Sequence, residues 1–344
     1  MRFLLFTFIY FIIIFWAGCD TNPPTYPEPI PEIDQMQNKL LGRGVNIGNA
    51  LEAPNEGEWG VTIQPDYFEK IASAGFTSVR IPVRWSAHCS PNFPYKIETS
   101  FLERIREVID QALMNRLAVI INMHHFDELY SSPEEERVKF LNLWQQIAEY
   151  FSAYDNRLFF EILNEPNGNL TPVKWNTFLA DAINTVRVTN PSRTILIGTP
   201  EWGGLSSIDE LILPAGEKNI IVTVHYYQPF NFTHQGAEWI NGSNNWLGIK
   251  WSSSAAELSV MEEHFRMASF WAKSQGVALN LGEFGSYRKA DIQSRVNWTA
   301  SVRSFAEKYG MSWHYWEFCA GFGIYDPVTG EYDERLLGAL LPPA

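Results

Sequence analysis

Two strings of residues hold the carboxylates on which a reading of this chain turns: Phe159-Phe160-Glu161-Ile162-Leu163-Asn164-Glu165-Pro166 and Leu281-Gly282-Glu283-Phe284-Gly285. Each is an apolar run of strand type that ends in a glutamate. Two carboxyl groups facing one another across a cleft are the minimal equipment for cutting a glycosidic bond. One protonates the leaving oxygen and the other supports an oxocarbenium-like carbon, attacking it directly when the two stand about 5–5.5 Å apart. Glu165 is assigned as acid/base and Glu283 as nucleophile, because Gly282 and Gly285 leave room for substrate and backbone to approach. Arg80, reaching across from another strand, would keep Glu283 ionised.

Other residues compete for these roles. Glu161 lies four residues deeper on its strand and is expected to pair inside the fold. Glu52 falls in an early loop and is expected to touch substrate, while Glu317 should point away from the centre if Trp316 points in. His124, His125 and His225 raise the possibility of a metal-dependent hydrolase. Against it, the first strand carries Asn46-Ile47-Gly48-Asn49 where that class usually has His-x-His, and no acidic residue is placed to complete a site. No metal and no cofactor are expected. A G-x-S-x-G elbow, a P-loop and a strand-following G-x-G-x-x-G turn are all missing, which removes serine esterases, NTPases and dinucleotide enzymes.

What must position these groups is a recurring unit of short apolar strand, polar loop and 3.6-periodic helix. Strands read at Gly44–Gly48, Ser78–Val83, Ala118–Met123, Leu158–Leu163, Thr194–Gly198, Ile221–Val224, Ala278–Leu281 and Ser312–Trp316. Helices read at Pro65–Ser73, Ser100–Met114, Pro133–Phe151, Pro172–Val188, Leu258–Lys273, Asp291–Lys308 and after Asp333, with a weak one near Leu205–Leu211 diluted by Gly203, Gly204 and Pro214. Eight such repeats over residues 36–344 predict an α/β fold, a single (β/α)8 TIM barrel, with its active site at the carboxyl ends of the strands. Polar residues gather at those ends: Asn46 and Asn49, Arg80, His124 and His125, Asn164 and Glu165, His225 and Tyr227, Glu283, and Trp316. Any one of them could be a structural hydrogen-bonder; their recurrence at most strand ends argues for a site.

Composition narrows the partner. A net charge of −13 with no basic stripe argues against nucleic acid. Thirteen tryptophans suit a groove that stacks on sugar rings. Trp316 is expected under the ring being cleaved, with Trp85, Trp202, Trp239 and Trp251 further along; Trp144, Trp175, Trp271 and Trp298 fall on predicted helices and read as wall packing. Residues 1–18 have the form of an export signal, Arg2 followed by an apolar run, ending in Trp16-Ala17-Gly18-Cys19. That ending resembles the lipobox of bacterial lipoproteins and makes Cys19 the expected lipidation site; ordinary secretion and an uncleaved anchor are the alternatives. Residues 19–35, rich in proline, read as a tether. Cys89 and Cys319 are expected to be free thiols, and the protein an exported, envelope-anchored monomer that meets the membrane only through its lipid.

The strings Val79-Arg80-Ile81-Pro82, Asn122-Met123-His124-His125, Ile162-Leu163-Asn164-Glu165-Pro166 and Leu281-Gly282-Glu283-Phe284-Gly285 resemble the signatures of glycoside hydrolase family 5, the cellulase A family of retaining (β/α)8 barrels. The similarity runs from about Leu40 to the end. Longer strings, Asn46 to Pro54, His225-Tyr226-Tyr227 with Phe232 to Trp239, and Tyr315 to Gly323, are similar to a bacterial endoglucanase branch, some of whose members also accept mannans. The resemblance implies that Glu165 is the proton donor and Glu283 the nucleophile. It implies that Asn164 bonds the sugar 2-hydroxyl, that Tyr227 and Arg80 orient Glu283, and that His225 bonds near Glu165. His124, His125, Asn49, Glu52 and Trp316 would bind the sugar beside the scissile bond. The expected function is retaining, endo-acting hydrolysis of β-1,4-glucan; β-mannanase or dual activity is the runner-up, xyloglucan hydrolysis comes behind it, and a non-catalytic surface glycan-binding lipoprotein is the alternative of another class.

Overall fold

The computed structural model describes residues 32–343. Eight strands, β1 (Arg43–Asn46), β2 (Ser78–Ile81), β3 (Ala118–Asn122), β4 (Leu158–Glu161), β5 (Ile195–Gly198), β6 (Ile220–Tyr226), β7 (Ala278–Phe284) and β8 (Ser312–Tyr315), pair in parallel in chain order, and β8 closes on β1. Around them stand α1 (Glu32–Leu41), α2 (Asp66–Ala74), α3 (Thr99–Met114), α4 (Pro133–Tyr150), α5 (Pro172–Arg187), α6 (Ala255–Gln275), α7 (Ile292–Lys308) and α8 (Glu334–Leu340). This is the (β/α)8 barrel that the sequence predicts. Pro133 and Pro172 open their helices, where a missing N–H costs nothing. Ser254 and Glu257 close a capping box on α6, and Asp291 caps α7.

Alternation along the strands sorts their side chains into two cores. Val45, Val79, Ile121, Phe160, Val222 and Leu281 belong to the large core beneath the helices, whereas Ala118, Ile120, Phe159, Leu196, Ile221 and Ala278 form a separate cluster with Leu41 in the lumen.

Three elements depart from expectation. Between β5 and β6 there is no α-helix: Leu205–Glu210 is a 3-10 turn, preceded by Glu201, Trp202 and Gly203, all with positive φ. Three successive left-handed residues break any helical run before it starts. The segment read as tether ends earlier than 35, because α1 begins at Glu32. A small hairpin, Tyr325–Asp326 with Glu331–Tyr332, was not foreseen. Cys89 and Cys319 are free thiols. The export signal, Cys19 and most of the tether lie outside the described residues.

Helix α1 packs across the amino ends of the strands and buries polar groups, Asp34, Gln37 and Asn38. Ser312 Oγ donates to Asn38 Oδ1 at 2.6 Å, and Asn280 Nδ2 donates both to Ser312 Oγ at 2.8 Å and to His314 Nδ1 at 3.2 Å. Since Nδ1 accepts, the imidazole proton sits on Nε2, which donates to Ser78 Oγ at 2.9 Å; the Ser78 hydroxyl in turn donates to the Leu41 carbonyl at 2.6 Å. Gly44 is required here, because a Cβ at that position would stand 2.2 Å from the His314 ring.

Burial, with the Arg80 charge nearby, pushes the His314 pKa down to about 3. An imidazole that stays neutral in the fold and protonates near 6.5 when unfolded stabilises the protein above that value, and the contribution is lost as pH falls from 6.5 towards 3. Replacing His314 with Gln should therefore flatten the dependence of unfolding free energy on pH across this interval, by up to about 1.4 kcal/mol per pH unit. Denaturant melts at pH 6, 5 and 4 check it, and parallel slopes for the two proteins would refute it.

Candidate active site

At the carboxyl ends of the strands the site is assembled around one guanidinium. Arg80 on β2 is fully buried. Its Nε and Nη2 donate to the two oxygens of Glu161 at 2.6 and 2.7 Å, Nη2 also donates to Asn164 Oδ1 at 2.8 Å, and Nη1 donates to Glu283 Oε1 at 2.7 Å and to Asn46 Oδ1 at 2.9 Å. Glu161 thus pairs inside the barrel as expected. Asn46 is itself held by donating to the Gly282 and His314 carbonyls at 3.0 and 3.2 Å.

Glu283 would face outward by strict alternation, since Asn280 points into the lumen and Leu281 away from it. A register shift between Leu281 and Phe284 resets the pattern, with His225 opposite Glu283 and Val224 opposite Leu281. An extra residue of this kind re-aims the side chains after it. The extra residue is Gly282, where a Cβ would lie 2.5 Å from Thr223 Oγ1; at Gly285 it would lie 2.0 Å from the Trp316 carbonyl oxygen. Both glycines are demanded by close packing, and the backbone approach expected of them is met at Gly285.

The second oxygen of Glu283 accepts from the Tyr227 hydroxyl at 2.9 Å. Burial pushes the Glu283 carboxyl above its ordinary range, and the charges of His225 and Arg80 pull it back towards the ionised form. Glu165 stands beyond the end of β4, not on it, with φ of 47°. That left-handed turn, uncommon for a residue with a side chain, aims it across the opening. Asn167 Nδ2 fixes the turn by donating to the Glu165 carbonyl at 2.8 Å, and Tyr130 donates to the Asn164 carbonyl at 2.5 Å.

His225 links the two carboxylates: its Nδ1 lies 2.8 Å from Glu165 Oε1 and 3.6 Å from Glu283 Oε2. Burial opposes its charged form, but Glu283 and Glu165 outweigh burial and raise the pKa. One ligand atom from each of Glu165, His225 and Glu283 lies within 4.8 Å of the others, so this trio is also where a metal could be sought among the described residues. The two carboxylate oxygens are therefore close enough to act on a single carbon.

His124 stacks on Trp316 with ring centroids 5.8 Å apart and planes 8° from parallel. Its Nδ1 faces Asn122 Nδ2 at 2.9 Å, and burial lowers its pKa well below the usual value, so the ring is neutral. His125, half-buried, meets Trp59 edge-on at 5.4 Å. Trp59 is a neighbour of His125 that sequence reasoning did not name; a tryptophan set between Gly57 and Gly60 was the available signal. A cavity of about 1480 Å³ is lined by Glu165, His225, Tyr227, His125, Trp202 and Trp239, the last two largely exposed. The Trp239 loop is held by Glu238, which accepts from the Tyr287 hydroxyl at 2.5 Å and pairs with Lys289 at 2.7 Å.

Three expectations are corrected. Glu52 is almost fully buried and turns its oxygens onto the backbone amides of Asn49 and Ala50, so it shapes the Asn49 turn and does not reach the opening. Trp85 is completely buried, donating to the Asn122 carbonyl at 2.8 Å and packing on Phe101; Trp251 is buried against Phe232. Neither can be a sugar platform. Glu317 points away, as expected, accepting the amides of Cys319, Ala320 and Phe322.

Removing the Tyr227 hydroxyl takes one of two fixed donors from Glu283 and leaves the ring in place. A hydrogen bond to a charged group carries about 1.5–3 kcal/mol. Tyr227→Phe should lower kcat by about 10- to 100-fold with an unchanged melting temperature, measured by steady-state kinetics and calorimetry.

Among known proteins, the chain is 31% identical over 329 residues to Endoglucanase H of Acetivibrio thermocellus, covering 94% of this chain and 35% of that one. It is likewise 31% identical to Endoglucanase A of Paenibacillus barcinonensis, covering 80% of each. It spans only 35% and 37% of the first two relatives, Endoglucanase H and the cellulase/esterase CelE of the same organism. The crystal structure of Thermotoga maritima Cel5A in complex with mannotriose superposes with a TM-score of 0.88 at 52% identity, covering 89% of this chain and 99% of that one. Structures of the same enzyme with cellobiose match equally well. The cellulase pattern of glycosyl hydrolase family 5 runs over residues 39–321, the span that contains both glutamates and the arginine between them, and the chain belongs to that family.

Proposed function

We propose that this protein is an endo-acting retaining glycoside hydrolase that cleaves internal β-1,4 bonds of glucans by double displacement. The observation that carries the reading is the closeness of Glu165 and Glu283, with oxygens within 4.8 Å of one another. That spacing suits direct attack and falls short of the roughly 6.5–9.5 Å by which an inverting pair stands apart to seat its water. Glu165 donates its proton to the leaving oxygen while Glu283, held on both oxygens by Arg80 and Tyr227, bonds the anomeric carbon. Once the ester forms, Glu283 has lost its charge, and Glu165 takes a proton from the water that releases the sugar. Oδ1 of Asn164 is occupied by Arg80, so its NH2 is the end left to bind the sugar 2-hydroxyl. Trp316, backed by His124, supplies the ring platform, with His125 and Asn49 beside it.

A dual glucanase and mannanase is the second reading, favoured by the mannotriose and cellobiose complexes of the Thermotoga maritima enzyme. Intact Glu165 and Glu283 argue against a merely glycan-binding protein. Glu283→Gln should abolish turnover of mixed-linkage glucan, carboxymethyl cellulose and glucomannan while leaving the fold intact by circular dichroism. Appreciable residual activity would falsify the assignment. Proton NMR of the wild-type reaction should show the β anomer of the new reducing end first; the α anomer first would rule out double displacement.

We further propose export and lipidation at Cys19. Among the described residues no helix is long and apolar enough to cross a membrane; what supports the anchor is the lipobox-like Trp16-Ala17-Gly18-Cys19 that ends the apolar run. A Cys19→Ala variant expressed in a lipoprotein-processing bacterium should move from the membrane fraction to the soluble one; retention on the membrane would refute the anchor.

A further inference from the structure

The helical shell is interrupted between β5 and β6, where the 3-10 turn Leu205–Glu210 stands in place of a full helix. The gap bares a flank of α6: Met267 is 55% and Phe270 72% exposed, in a protein whose other shell helices bury most of their aromatic rings. The cavity that contains Glu165 and His225 does not stop at the cleft. It continues past Trp202 into this gap and reaches Phe270, Trp271 and Ser274 on α6. From His264 to Ser274 it follows about 15 Å of helix at 1.5 Å per residue. Its volume of about 1480 Å³ exceeds the roughly 300–1,000 Å³ of a pocket for one small molecule.

Resting on the reading above, we propose that this gap is an additional binding groove for the leaving-group end of a long β-linked glucan. The direction follows from Glu165, the group assigned to the leaving oxygen. The Trp202 amide donates to the carbonyl of Pro166, the residue after it, at 3.1 Å. Chain that passes Glu165 therefore meets the exposed Trp202 ring first and the α6 flank beyond it. Pyranose rings offer C–H faces that pack on aromatic planes, and Phe270 and Trp271 supply such planes. Asp209 and Ser274 at the rim supply partners for the outward hydroxyls. An aliphatic ligand would not need those polar groups, and a single small sugar would not need the length.

The test compares wild type, Phe270→Ser and Phe270→Trp on reducing-end-labelled cellohexaose, on mixed-linkage glucan and on an aryl β-cellobioside, whose leaving group ends beside Glu165. Loss of one stacked ring predicts a fall in kcat/KM of about 3- to 10-fold on hexaose and polymer, expressed in KM, with recovery in Phe270→Trp. The aryl glycoside should be turned over at an unaltered rate, and the preferred cleavage position in the hexaose should shift towards its reducing end. Kinetics independent of chain length would overturn the groove alone, as would an equal loss on the aryl glycoside, which would mark damage to the catalytic pair. Failure of the wild type to cleave any of the three would overturn the enzymatic reading together with the groove.

Discussion

The site depends on one buried cation whose five N–H groups are all committed. Arg80 makes two bonds to Glu161, one to Asn164, one to Glu283 and one to Asn46. Guanidinium is the only side chain with five donors in a rigid plane, and a buried charge left without partners would cost several kcal/mol. The consequence is positional. β1, β4 and β7 each send a residue to the same plane, so Glu283, Asn164 and the barrel wall are fixed relative to one another by a single group. A lysine would supply the charge without the fork, and two of these strands would lose their common reference.

The carboxylates themselves arrive by two local irregularities. Glu283 is turned inward by the extra residue at Gly282, and Glu165 by a left-handed turn after β4. A regular strand would have delivered neither. His225 then sits between them with one ring nitrogen facing both, which couples the two groups electrostatically.

Much of this was legible in the sequence. The barrel followed from strand-helix repetition, and Arg80, Glu165, His225, Tyr227 and Glu283 from their positions at strand ends, reinforced by motifs that resemble the family. What escaped did so for physical reasons. Helix α1 buries asparagine, glutamine and aspartate against a polar floor while Met36 stays exposed, so its apolar residues do not mark the face that packs. Glu52 and Trp85 have the residue types of ligand contacts, and only the local backbone decides that one caps its own loop and the other fills the wall. The missing fifth helix was signalled by Gly203, Gly204 and Pro214, yet the opening it leaves along α6 depends on side chains distant in the chain.

The floor formed by α1 also fixes where the described chain enters the barrel. The hydrogen-bond chain from Asn38 through Ser312, Asn280 and His314 to Ser78 pins this helix across the amino ends of the strands, at the opposite pole from the two glutamates. Glu32, the first residue of that helix, therefore stands on the sealed base, and the mouth with its carboxylates opens on the far side of the barrel, its rim unobstructed by the point where the described chain comes in.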